Sequence, residues 1–287
     1  MQSQTADLLA LLELEQLEVN LFRGESRDIG SPQVFGGQVL GQALTAASRT
    51  VDGRIVHSLH AYFLRRGDFN APIVYEVDRS RDGHSFSNRR VIAIQHGEQI
   101  FNMTASFQVV EDGLDHQIDM PKVPPPEELP DMLELLRTRK DQLPERVQRL
   151  VEKPRPFEFR MVQPLPDLTV PWTRPPVRQV WFRLPDRIPD DESLHRRLLA
   201  YVSDYYLLDT AVLPHGISFL TAKAIMASID HAVWFHRPLR VDDWLLYALD
   251  SPSASGSRGF GRGSVFARDG RLVASTAQEG LVRVVGA

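Results

Sequence analysis

Apolar residues recur at three- and four-residue steps between Glu192 and Leu213. Leu194, Leu198, Tyr201, Tyr205, Leu208 and Val212 form one stripe, which predicts a long helix closed by Pro214-His215-Gly216. Phe35 to Leu44 reads as another helix, and Leu8 to Leu12, followed by Glu13 and Glu15, as an amphipathic one. Strand-like segments fill roughly residues 55 to 110 and 224 to 284. In the last of them Leu272, Ala274, Thr276 and Gln278 share one face by period-two alternation. A helix followed by adjacent strands predicts an α+β fold, with an antiparallel sheet covering one side of the helix.

The pattern occurs twice. His60-Ala61-Tyr62-Phe63 returns 171 residues later as His231-Ala232-Val233-Trp234. Pro72 to Asp78 matches Trp244 to Asp250, and Ile100 to Ala105 matches Leu272 to Ala277, at an offset of 172. Three matches in register point to duplication of one folding unit, and two such units pair as the subunits of a homodimer do. Between them thirteen of the twenty prolines fall from Pro121 to Pro176. So much proline rules out a central strand or a long helix interior. A short helix over 131–140 is expected there, and Phe157, Phe159 and Trp172 suggest a connector packed onto the rest. The expected division is a first domain over 1–112, a structured connector over 113–176 and a second domain over 177–287.

Composition narrows the functions. A net charge of −4 gives no support for nucleic-acid binding, and no apolar run approaches the roughly 20 residues that span a bilayer. The chain has no cysteine, which removes thiol nucleophiles, disulfides and cysteine-ligated metals and fits a cytoplasmic enzyme. No metal-binding spacing of histidines occurs either. Gly256, Gly259, Gly261 and Gly263 match no phosphate-loop pattern; alternating strand glycines indicate bending or close backbone approach.

Asp204 lies beside the apolar stripe, where partial desolvation would raise its pKa and make it a better base; a structural, hydrogen-bonded Asp is the alternative. Ser228 is expected to begin the strand Ser228 to Trp234, with Gln278 in the last strand. Strand Ser and Gln residues are usually structural. His231 stands three residues from Ser228, and a regular strand would put the two on opposite faces. No Gly-x-Ser-x-Gly elbow surrounds Ser228.

Over nearly its whole length the chain resembles the acyl-CoA thioesterase II family, the double hot-dog thioesterases. The resemblance is carried by Gln33-Val34-Phe35-Gly36-Gly37-Gln38-Val39, Val56 to Leu64, Ile229 to Pro238 and Val273 to Gly280. It implies two tandem hot-dog domains forming a pseudo-dimer and hydrolysis of fatty acyl-CoA to free acid and coenzyme A. The implied partners are the acyl-CoA substrate and further copies of the chain, with no cofactor. It also implies a catalytic Asp, Thr or Ser, and Gln, falling on Asp204, Ser228 and Gln278. Thr is commoner at the middle place, so Ser228 departs mildly and keeps the hydroxyl. The repeat sets His57 opposite Ser228, Ser106 opposite Gln278 and Gly37 near Asp204, so the first copy is expected to lack the set and to help line the substrate channel. Gly36 and Gly37 are the candidates for oxyanion stabilisation, with His57 a further candidate for substrate binding. The alternatives are a hydratase or dehydratase of the same fold and a non-enzymatic acyl-CoA binding protein.

Overall fold

The first half runs α1 (Gln4–Leu12), β1 (Glu15–Glu18), β2 (Leu21–Gly24), α2 (Gly36–Ser48), β3 (Ile55–Phe63), β4 (Ile73–Asp82), β5 (Phe86–Gln95) and β6 (Glu98–Gln108). After α3 (Met132–Thr138) and α4 (Glu145–Glu152) come β7 (Glu158–Met161), β8 (Val177–Arg183), α5 (Glu192–Val202) and α6 (Leu207–Thr210). The chain ends with β9 (Ala224–Ser228), β10 (Asp230–Phe235), β11 (Leu245–Ser255), β12 (Arg258–Ala267) and β13 (Leu272–Val284). The structure is a computed structural model and describes residues 3–31, 33–165, 172–218, 220 and 224–285. Part of the expected connector, residues 166–171, lies outside the described residues.

The described strands form one antiparallel sheet in the order β1-β2-β4-β5-β6-β3-β10-β13-β12-β11-β8-β7, with β9 also paired to β13. That order reads as the same unit run outward in both directions from the β3–β10 junction. The register at the junction is reciprocal. His60 pairs with Ala232, and Ala61 pairs with His231; in the repeat these are the same two positions exchanged. Such reciprocity is compatible with a two-fold interface between equal units, and it is the strand order outward from the junction that repeats in the two halves. Inside the stretch expected to be connector, β7 pairs with β8 as β1 pairs with β2. Phe157 and Phe159 are buried there.

α2 and α5 pack against each other, α2 lying on β4, β5 and β6 and α5 meeting β3. Asp191 caps α5 by accepting from Ser193 N at 2.9 Å. The helix expected to run from Glu192 to Leu213 is in fact broken: α5 stops at Val202, and Tyr206 sits at φ 70° before α6 begins. The cause is local. Ser203 Oγ donates back to Ala200 O at 3.0 Å, and the Tyr247 hydroxyl takes the Ser203 carbonyl at 2.9 Å, so the helical ladder has rivals at that point. Periodicity alone sees the apolar stripe continue through the break. The glycines of β12 serve close approach, because a Cβ on Gly261 would lie 2.8 Å from Leu207 O at the start of α6.

Candidate active site

The break between α5 and α6 carries Asp204 against side chains of β9 and β13 and the start of α2. Its Oδ1 accepts from Gln278 Nε2 of β13 at 2.6 Å and from Ser228 Oγ, the last residue of β9, at 3.3 Å. Its Oδ2 accepts from the backbone N–H of Gly37, in the first turn of α2, at 3.0 Å. Gln278 Nε2 also reaches Ser228 Oγ at 3.0 Å. The three residues named from sequence therefore meet, and they meet at a helix start supplied by the other half of the chain. Gly36 shapes the contact, since a Cβ there would stand 2.6 Å from Asp204 Oδ2.

Burial raises the Asp204 carboxyl from its ordinary value to about 6, against the opposing pull of the Gln278, Ser228 and Gly37 hydrogen bonds. A carboxylate offers roughly four acceptor positions, and three are filled by these donors. One remains for a substrate group or a water. The Gly37 N–H, expected to face a substrate oxygen, is here committed to the carboxylate.

The expected strand from Ser228 to Trp234 is also interrupted. β9 ends at Ser228 and β10 begins at Asp230. Ile229 spans the gap, donating to Glu279 O and accepting from Phe63 N, both at 2.9 Å. The interruption cancels the alternation that would separate Ser228 from His231, and both side chains reach Gln278 Nε2, His231 through Nδ1 at 3.2 Å. On the regular strand expected from the sequence, His231 would face away from Ser228. It is buried, bonded through Nε2 to Ser203 Oγ at 2.8 Å, and pushed down to about 3 by that burial. No spacing rule pointed to it, because the contact exists only once the strand breaks.

His57 does not join this cluster. Phe63 is the end of β3 that bonds Ile229, and His57 lies six residues back along the strand, roughly 20 Å away at the usual rise. There its Nε2 meets Ser106 Oγ at 2.8 Å. Arg89, equivalent to Gly261 in the repeat, is buried and bonds Thr50 Oγ1 and Thr50 O at 2.8 and 3.0 Å. A buried arginine thus occupies the first copy at the position where the second copy uses a glycine to admit α6.

A cavity of about 220 Å³ opens onto the cluster, lined by Val34, Gly36, Val39, Phe63, Phe101 and Ser228, with Arg65 and Arg66 also on its wall. A second, mostly apolar cavity of about 360 Å³ touches none of the candidate residues. Among the described residues no group of His, Asp and Glu side chains is placed to hold a metal ion. Nor is any helix among them long and apolar enough to cross a membrane.

The sequence family described as acyl-CoA thioesterase matches residues 157–281, and the one described as acyl-CoA thioesterase N-terminal domain matches residues 23–108. Acyl-CoA thioesterase 2 of Haemophilus influenzae is 44% identical over 281 residues, covering 96% of this chain and 97% of that one. The crystal structure of acyl-CoA thioesterase II TesB2 from Mycobacterium marinum superposes with a TM-score of 0.79 at 43% identity, covering 98% of both chains. A protein of unknown function with hot dog fold from Alicyclobacillus acidocaldarius reaches a TM-score of 0.77 at 19% identity, over 97% of this chain and 98% of that one, a likeness of fold alone.

Proposed function

The chain belongs to the acyl-CoA thioesterase II family, built as tandem hot-dog units, and hydrolyses acyl-CoA thioesters; on that premise we propose that Asp204, Ser228 and Gln278 carry the reaction. The supporting observation is the convergence of Gln278 Nε2 and Ser228 Oγ on one oxygen of a carboxyl raised to about 6. A water held at the open acceptor position of Asp204 attacks the thioester carbonyl carbon as its proton passes to the carboxylate. The tetrahedral intermediate collapses, the C–S bond breaks, and the leaving coenzyme A thiolate takes up the proton held on Asp204, which restores the carboxylate. Ser228 and Gln278 hold the carboxylate and the water in line. Positioned base catalysis of this kind contributes about 10²–10⁴-fold.

The thioester enters through the cavity beside Ser228, whose apolar wall of Val39, Phe63 and Phe101 comes from the first half. The fatty acyl chain lies against that wall, and Arg65 and Arg66 offer charge to the phosphates of coenzyme A. The division at residues 112 and 176, a cytoplasmic setting and assembly into a homo-oligomer belong to the same reading. The absence of cysteine supports the setting, and the reciprocal β3–β10 junction supports the domain pairing.

Release of free thiol from a panel of acyl-CoA substrates tests the assignment. Asp204→Asn is nearly isosteric and should lose about 10²-fold or more in kcat. Ser228→Ala should weaken turnover, whereas Ser228→Thr, which keeps the hydroxyl, should retain it. Nearly full activity in Asp204→Asn would remove the mechanism, and a stoichiometric acyl-enzyme on Ser228 would replace it with a nucleophilic one.

A further inference from the structure

Gln278 is buried with an imbalance across its carboxamide. Its Nε2 faces three acceptors, Asp204 Oδ1 at 2.6 Å, Ser228 Oγ at 3.0 Å and His231 Nδ1 at 3.2 Å. An amide nitrogen carries only two hydrogens, so the three acceptors share them. Its Oε1 is buried and meets no hydrogen-bond donor among the described residues. Nothing on the oxygen side holds the group, and its orientation is set entirely from the nitrogen side.

The His231 contact has a fixed direction. Ser203 Oγ has one hydrogen, and that hydrogen goes to the carbonyl of Ala200, which can only accept, at 3.0 Å. Ser203 must therefore accept from His231 Nε2 at 2.8 Å. The imidazole then carries its hydrogen on Nε2 and presents a bare lone pair at Nδ1. That lone pair welcomes an amide NH2 and repels an amide oxygen. Ser203 itself is buried at the end of α5, one residue before Asp204, and its own carbonyl is held by Tyr247. Burial keeps the ring neutral, so the lone pair persists across ordinary pH.

We propose that His231 is a positioning residue for the thioesterase reaction: its Nδ1 lone pair holds the Gln278 carboxamide with the NH2 group turned toward Asp204 and Ser228. Turning the amide over would set its oxygen against both the Asp204 carboxylate and the imidazole lone pair. His231 touches no reacting atom and acts through Gln278. The proposal rests on the catalytic reading of Gln278 given above.

The test is a double-mutant cycle on the full chain, with kcat and KM from coenzyme A release and the thermal midpoint for each variant. His231→Leu removes the acceptor while leaving a side chain of similar bulk, now apolar. It should lower kcat by about tenfold, the worth of one well-placed hydrogen bond, with KM changed by no more than about twofold. His231→Asn, whose Oδ1 falls near the place of Nδ1, should recover most of that loss. In a Gln278→Ala background His231→Leu should have no further effect on kcat. If His231→Leu retains wild-type kcat, or costs the same factor in both backgrounds, His231 does not act through Gln278. Equal loss in the Asn and Leu variants makes packing its role and overturns the proposal. Should His231→Leu fail to fold, Ser203→Ala, which frees the tautomer, is judged by the same cycle. Wild-type turnover in Gln278→Ala alone would sink the underlying reading as well; a collapsed Gln278→Ala with an additive His231 effect would sink only the positioning role.

Discussion

Burial and hydrogen bonding pull the Asp204 carboxyl in opposite directions, and burial prevails, leaving it near 6. The folded chain therefore holds a proton on this group more tightly than the unfolded chain does. Stability falls as pH rises from the ordinary carboxyl value to about 6 and stays reduced above it, by about 3 kcal/mol at most, less any screening at the open side of the cleft. The same ionisation creates the base. kcat/KM should accordingly rise with pH through about 6 and level off above it. A rate profile flat down to pH values well below that point would exclude Asp204 as the base. Asp204→Asn should show a thermal midpoint at alkaline pH no lower than that of the parent, because the ionisation cost disappears with the charge. A clearly lower midpoint would mean that the three donor bonds outweigh desolvation. The legible part here was the residue set. Asp204, Ser228 and Gln278 could be named from the resemblance, whereas Ser203, His231 and the Gly37 N–H join them through contacts that sequence spacing does not encode.

At the scale of elements, two breaks and one close approach build the site. The end of α5 at Val202 and the gap at Ile229 turn Asp204 and Ser228 inward, and neither break carries a proline or glycine signal. The start of α2 approaches so closely that a Cβ on Gly37 would lie 2.1 Å from Tyr201 O, while one on Gly36 would meet Asp204 Oδ2 and the Phe63 ring. The two glycines should respond differently to alanine. Gly37→Ala meets backbone, so α2 must shift, and both stability and turnover should fall. Gly36→Ala meets side-chain atoms that can move, so kcat should fall with a smaller change in thermal midpoint. Measuring both quantities for both variants checks this. The opposite ranking of midpoints would show that α2 yields more easily than its contact with Tyr201 implies.

At the scale of the molecule, the candidate site is assembled from both duplicated halves. The second half holds Asp204, Ser228 and Gln278; the first supplies the Gly37 N–H and most of the cavity wall. In the first half the positions opposite Ser228 and Gln278 in the repeat hold a His57–Ser106 pair, and the position opposite Gly261 holds a buried Arg89. A chain of residues 177–287 alone keeps all three side chains of the set but loses the β3 partner of β10 and the helix packed on α5. It should show no thioesterase activity. Turnover by that fragment comparable to the full chain would mean that the first half is dispensable for catalysis.

What the sequence determined by itself was set by local and periodic forces. The repeat at 171 to 172 residues, the two runs of strands and the helix over Phe35 to Leu44 follow from apolar periodicity and spacing, and the three polar residues from the resemblance carried by stretches such as Val273 to Gly280. The tertiary structure decided where periodicity fails. Whether a helix continues past Val202 depends on the Tyr247 hydroxyl competing for the Ser203 carbonyl, 44 residues away in sequence. Whether Ser228 and His231 share a partner depends on Phe63 and Glu279 pinning Ile229 from both sides. These contacts join groups far apart along the chain, and their balance against local backbone preference is settled only when both copies close on one another.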